Sequence, residues 1–387
     1  MSSLAVTVER LTILEHPNAD ALELAQVGLY RAVVAKGAYR TGDYALYIPE
    51  QAVLPADLIE ELGLTGRLSG KNKDRVKAIR LRGELSQGIV CRPAGLADLW
   101  DASAAGALAE VERADGRRDF AEALGITKWM PPIPVGMSGR VEPAPDLLRW
   151  IEIENIKRFP DIFEPGEPVI ATEKIHGTCC LVTYDAEAGS IGDDGKPMGA
   201  TYVTSKGFGG KNLTLAEDTA NLYWRAAREY ALTPAAALIC NYLGARRVGL
   251  FGEVYGKGVQ DLHYGKDASQ NETLGYVLFD VAVMDQSGAV RWLSHAEINE
   301  LWSESLAAAG PTVTPPRAPV VYEGPYDYAV LADLAEGRSI LDPGTIREGL
   351  VVRPAVERRS DVLSGRAIAK IVSEGYLLRG GNATEFE

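Results

Sequence analysis

The sequence predicts an α+β protein in which a small N-terminal β-barrel precedes a larger domain of antiparallel sheets and helices. Three observations predict it. Short apolar-alternating runs separated by turn residues fill residues 1 to about 95. A stretch dense in proline and glycine, MPPIPVGMSGRVEPAPD, follows after an alanine-rich segment and has no periodicity. Beyond it, strands come in runs and helices in clumps, which disfavours a doubly wound α/β fold.

In the first part, VTVERLTIL, LELAQVGLYRAVVAK, DYALYIPE, VKAIRLRG and QGIVCRP read as five short strands, with HPNAD and RTGD as turns. Five such strands with one helical excursion suit a barrel of the oligonucleotide/oligosaccharide-binding (OB) type. Residues 96 to about 130 read as helical. The expected organisation is therefore an OB-type module over 1–130, a linker over 131–146 and a second domain over 147–387. In that domain EPVIATEKI, CCLVTYDA and ATYVTSKG read as strands, and LGYVLFDVAVM and VRWLS as a hairpin closed by DQSG. One helix is expected through AEDTANLYWRAAREY and a second from Thr233-Pro234, threonine as cap and proline at the first helical position. A third is expected from Ser294, where Glu297 completes a capping box.

A chain of 387 residues with 46% apolar and 24% charged residues fits two globular domains. It has no apolar run of about 18 residues, so no membrane span is expected, and MSSLAVTVER lacks the signal-peptide pattern. The four cysteines, Cys91, Cys179, Cys180 and Cys240, have no metal-binding spacing, which points to a reduced, cytoplasmic compartment without structural zinc. The four histidines form no zinc-hydrolase spacing. A net charge of −13 means that any nucleic-acid surface must concentrate its cations. Lys71, Lys73, Arg75, Lys77, Arg80 and Arg82 do so, in a charged loop leading into a strand around Val76 and Ile79. That stretch is either a phosphate-tracking surface or a solvated edge strand protected by its lysines.

Chemistry begins at EKIHGT. Lys174 ends an apolar strand and precedes Gly177, so its amine, once deprotonated, could attack a phosphorus or carbonyl centre. The K-x-x-G spacing alone decides nothing, because Lys206 to Gly209 has it too. Order decides more. After Lys174 come Ser205-Lys206, Glu253, Phe279-Asp280, Glu348 and Lys370, each in or beside an apolar strand. Charged groups there are costly to bury singly, so together they imply one polar cavity. Two carboxylates and several lysines suit a metal-bound triphosphate, and Phe279 suits a stacked base.

K-x-x-G, S-K-G, G-E-x-Y-G, F-D, E-G-x-V-V-R and K-x-x-S in this order resemble the covalent nucleotidyltransferases: DNA ligases, RNA ligases and capping enzymes. EKIHGT favours RNA ligases. GEVYGKGVQDLHYG behind a leading OB module resembles the Deinococcus type, and HPNADALEL also resembles tRNA-binding OB modules. The resemblance implies a nucleotidyltransferase (ligase adenylation) domain that uses ATP with Mg2+ or Mn2+. It implies Lys174 as the nucleophile that carries AMP, Glu253 at the ribose, Glu348 and Glu253 at the metal, and Lys370 at the α-phosphate. Ser205 and Lys206 would lie near the nucleotide sugar or phosphate, and Phe279 on adenine. Glu173, Ile175 and Gly177 flank the nucleophile, and Asn155, Lys157 and Arg158 line the nucleotide pocket. The implied partner is RNA or an RNA-containing duplex with a nick, sealed by a monomer. Two positions depart from the pattern: Cys179 stands where many relatives carry arginine or asparagine, and Ile368 where many carry a second lysine. A capping-type GMP transferase and an inactive RNA-binding protein are the competing readings. The barrel-first order disfavours the former, and retention of Lys174, Glu253, Glu348 and Lys370 the latter.

Overall fold

The computed structural model describes residues 4–100, 105–114, 116–130, 137, 139–144, 146–191, 197–269, 272–307, 310 and 314–379. The chain divides into two compact units, Met1–Met130 and Pro131–Glu387. Among the described residues no helix is long and apolar enough to cross a membrane.

The first unit carries β1 (Thr7–Arg10), β2 (Thr12–Glu15), β3 (Leu22–Val27), β4 (Tyr30–Ala35), β5 (Tyr44–Ile48), β6 (Ile79–Leu81), β7 (Glu84–Ser86) and β8 (Ile89–Cys91). They pair antiparallel as β1-β5-β8, β2-β3-β4 and the hairpin β6-β7. Alternation along β5 explains its place at the centre. Leu46 and Ile48 enter a core with Val8, Leu58 and Phe120, while Ala45 and Tyr47 enter another with Leu11 and Val27. Gly88, at φ +78°, precedes β8 where a Cβ would strike the Ile48 carbonyl and the Tyr47 ring. The segment expected to be helical is mostly not: it holds a kinked 3-10 stretch at Ala94–Leu99, one helix at Ala105–Val111 and a 3-10 turn at Glu122–Leu124. Its alanines favour helix, but packing and turns override propensity.

The second unit holds two five-stranded sheets. The strands of these two sheets are β9 (Glu154–Asn155), β10 (Pro168–Lys174), β11 (Thr178–Asp185), β12 (Ala200–Ser205), β13 (Arg247–Tyr255), β14 (Gly275–Met284), β15 (Val290–Trp292), β16 (Val320–Pro325), β17 (Gly349–Pro354) and β18 (Ala369–Val372). One sheet runs β9-β18-β17-β10-β16, antiparallel except for β9 beside β18. The other runs β12-β11-β13-β14-β15 and is wholly antiparallel. The turn from Ile175 to Gly177 carries the chain from one sheet to the other. The first sheet packs its outer face on the helix Tyr328–Ala335 through Leu331, Leu350, Val352 and Ile371. The second covers its own with helices Leu222–Glu229, Leu232–Leu243 and His295–Glu300. The inner faces meet through Arg353 of β17, which donates to Asp280 of β14 at 3.2 Å.

The helix starts differ in part from the expected ones. Asn221 caps the first helix by accepting from the Tyr223 and Trp224 amides, leaving AEDTA outside it. The second begins at Leu232 after Ala231 in the left-handed region, so Thr233 lies inside it and caps nothing. The Ser294–Glu297 capping box is present in both directions, at 3.2 and 2.7 Å. Much of 131–146 lies outside the described residues, but Val141–Pro143 is a strand paired with Leu213–Leu215, so this end of the expected linker belongs to the second unit.

Candidate active site

Lys174 ends β10, and its Nζ lies 2.6 Å from Oε1 of the buried Glu348, which immediately precedes β17. Register brings further groups to the same face. Lys370 opposes Val351, and Val351 opposes Thr172, two residues before Lys174. Side chains two apart share a face, so Lys174 and Lys370 point the same way. Asn155 pairs with Lys370, but its Oδ1 accepts from the Lys157 amide at 2.9 Å and shapes the turn that carries Lys157 and Arg158. Arg158 lies 5.3 Å over the Phe159 ring. Glu173 points to the opposite face from Lys174. Its carboxylate is buried, accepting from the Ile340 amide at 2.8 Å. Its side chain is thus not with the others, as adjacent residues in a strand must diverge. Ile175 packs against Tyr255, Tyr264 and Val277.

The second sheet supplies the other wall. Glu253 of β13 opposes Cys179 of β11. Its carboxyl is pushed up to about 8, chiefly by burial and also by the charge of Glu348, against the opposing pull of Lys174 and Lys206. Cys179 feels the same groups; burial first, then Glu253, drives its thiol well above the usual range. A Cβ on Gly177 would strike the Val254 carbonyl and stand 3.1 Å from the Glu253 side chain, so only glycine lets this turn close on β13. Lys206 follows β12 and pairs with Glu152 at 2.9 Å, while Ser205 caps the short helix Lys206–Gly209. Phe279 packs edge-on to Trp150, with ring centroids 4.8 Å apart.

Oε2 of Glu348 is buried without a hydrogen-bond partner, the remaining donor beside a second carboxylate at Glu253. Such a pair fits a hard divalent cation, whose other positions water and phosphate oxygens would fill. Among the described residues no three His, Cys, Asp or Glu side chains cluster in metal-binding reach.

The RNA ligase family model matches residues 167–372, more than half of the chain, and spans Lys174, Glu253, Glu348 and Lys370. The chain belongs to the RNA ligase family. A model of an OB-fold domain matches residues 5–93 of this ligase. No curated protein matches it. Among solved structures, an RNA ligase from Naegleria gruberi in a lysine-to-alanine variant with ATP and manganese superposes with a TM-score of 0.72. It is 24% identical, and the alignment covers 96% of this chain and 98% of that one. The same enzyme with pyrophosphate gives 0.71 at 23% identity, over 97% and 98%. These likenesses show a shared fold: an OB-fold module ahead of an α+β ligase domain.

Several residues of this ligase that shape the site were not singled out by sequence reasoning. Trp150 and Glu152 lie just before β9, and the run LRWIEIEN around them lacked a motif. His176, Gln260, Asp261 and Tyr264 form hydrogen bonds around the turn after Lys174. All four stand inside EKIHGT and GEVYGKGVQDLHYG, yet loop residues give no periodic signal.

In the first unit the basic stretch divides. Lys71, Lys73, Arg80 and Arg82 are exposed, and Arg80 donates to the Gly83 carbonyl at 2.9 Å. Lys77 is half-buried, and Arg75 lies 4.0 Å over the Trp129 ring, spending its cation on packing inside the unit. The expected strand is confined to β6, because Val76 is buried outside it and Arg75 makes only isolated bridges, to Val53 and Ser69.

Proposed function

We propose that this RNA ligase is ATP-dependent and seals breaks bearing a 3′-hydroxyl and a 5′-phosphate, acting as a monomer on nicks in duplexes whose 3′-hydroxyl strand is RNA. The observation that carries the reading is the Lys174–Glu348 contact at 2.6 Å, on a face shared with Lys370 and opposite Glu253. The solved complexes of the Naegleria enzyme with ATP and manganese support the choice of nucleotide and metal. The four free cysteines suit a reducing cytoplasm.

Lys174 must first lose a proton, and Glu348 is the carboxylate in contact with it. Its amine then attacks the α-phosphorus of ATP; a P–N bond forms and the bond to pyrophosphate breaks. A 5′-phosphate oxygen next attacks this phosphorus, the P–N bond breaks, and AMP passes to the nucleic acid through a new pyrophosphate linkage. A 3′-hydroxyl finally attacks the 5′ phosphorus, losing its proton, and AMP leaves. Lys370 and Lys206 balance the phosphate charge that develops, and Phe279 stacks on adenine with Trp150 behind it. A bound divalent cation would take Glu348 Oε2 and Glu253 as donors and neutralise phosphate charge. Glu173 and Ile175 frame the nucleophile through their backbone, and Asn155, Lys157 and Arg158 line the approach to the nucleotide.

The test is covalent labelling. The protein is incubated with labelled ATP or GTP and magnesium or manganese, then run on a denaturing gel. Label from ATP that vanishes in Lys174→Ala is the expected result. Label from GTP would replace the reading with a capping-type transferase, and no label from either would leave an RNA-binding protein.

A further inference from the structure

We propose that Asp261 is a positioning residue for Lys174, acting through a clasp that grips the turn between β10 and β11 and fixes the lysine against Glu348. The inference rests on the ligase reading. On one side, the loop Gln260–Tyr264 bonds that turn at three points. Gln260 donates to the Gly177 carbonyl, the Tyr264 hydroxyl accepts from the His176 amide at 2.8 Å, and Asp261 Oδ1 meets His176 Nε2 at 2.8 Å. The carboxylate selects the tautomer with its proton on Nε2, leaving Nδ1 to accept from Tyr376, whose hydroxyl is 2.9 Å away.

The other side is the segment from Ser373 to Arg379. Ser373 is bonded to the loop before β17: its amide donates to the Glu348 carbonyl at 2.9 Å and its hydroxyl to the Arg347 carbonyl at 2.8 Å. Three residues on, Tyr376 holds His176. Arg379 closes the ring, donating to Asp261 at 2.8 and 3.3 Å while its guanidinium lies 3.6 Å over the Tyr376 ring. One short segment is therefore bonded both to the backbone of Glu348 and to the residue two after Lys174, and Asp261 ties the two attachments together. Gln260, His176, Tyr264 and Tyr376 are buried, where a paired polar network holds one arrangement rather than many.

A nucleophile displaced by about 1 Å loses on the order of 10²-fold in rate. The experiment measures the rate of lysyl-AMP formation against ATP concentration in the full chain for wild type, Asp261→Ala, Asp261→Asn and Tyr376→Phe. Hydrogen exchange over residues 173–179 is followed in the same proteins without nucleotide. Asp261→Ala is expected to lower the maximal rate about 10²-fold with little change in half-saturating ATP, and Asp261→Asn to recover part of it. Exchange at His176 should quicken in Asp261→Ala and in Tyr376→Phe, which keeps its ring and so its packing. Maximal rates within about threefold of wild type in both variants, a loss confined to half-saturating ATP, or unchanged exchange would each overturn the clasp. If wild type takes no label from ATP, the ligase reading fails instead, and the exchange comparison still decides the clasp.

Discussion

Glu253 sits near two lysines, yet its carboxyl is pushed up to about 8, because burial and the charge of Glu348 outweigh what Lys174 and Lys206 supply. In an unfolded chain the same group ionises near 4.5. Between these values the unfolded state gives up the proton and the ligand-free folded state keeps it, so this residue's contribution to stability falls as pH rises towards 8. Thermal melts of Glu253→Gln without metal or nucleotide should therefore gain on wild type from pH 5 to pH 8 and level off above. A constant difference across that range would refute the assignment. Cys179 follows the same logic. Its thiol is held far from ionisation by burial, so iodoacetamide should leave it largely unmodified at pH 8, as mass spectrometry of the labelled peptide would read. The ordered series of polar residues was legible because each lies in or beside an apolar strand. Glu173 was counted with the nucleotide-binding residues, although period two sets its side chain on the face opposite Lys174. The partners of His176 were not, since they come from a loop and from the end of the chain.

Elements settle what single residues leave open. β13 and β14 slip register between Phe251 and Gly252, so Phe279 is the extra residue of a bulge. Tyr276, Leu278, Val281 and Val283 face the helices, while Val277, Phe279 and Ala282 face the other side. The bulge lets Asp280 also turn inward, beside Phe279. Fully buried, it lies between Arg353 at 3.2 Å and Arg366 at 2.5 Å, and Arg366 also holds Glu357. Asp280→Ala takes the paired carboxylate from the buried Arg353 guanidinium and leaves Arg366 with Glu357, and urea denaturation should show a loss of about 3–5 kcal/mol. Ser294→Ala removes one cap and should cost about 1 kcal/mol by the same measurement. The capping box and the Asp285-centred hairpin were readable because their hydrogen bonds are local. A bulge leaves no such mark, since alternation breaks by one residue only where the partner strand is known.

At the scale of the whole molecule the order of the two units was legible from turn spacing and composition, and each has its own core. Net charge was the weakest guide, because −13 says nothing of where four exposed cations gather on one hairpin and its leading loop. Neutralising Lys71, Lys73, Arg80 and Arg82 together should weaken RNA binding and flatten its salt dependence, by about 0.7–0.9 in log–log slope for each phosphate that no longer meets a cation. An unchanged slope would leave the stretch as a solvated edge. The site of the second unit is drawn from distant parts of the chain: Lys174 and Glu348 are 174 residues apart, and Lys370 comes later still. A ribosome therefore extrudes the lysine long before the carboxylate that faces it. A nascent chain halted anywhere between them displays Lys174 on an unfinished sheet, without Glu348, β18 or the Tyr376 bonded to the turn after it. On the ligase reading, chains truncated between Lys174 and Glu348 are therefore expected to take no label from ATP.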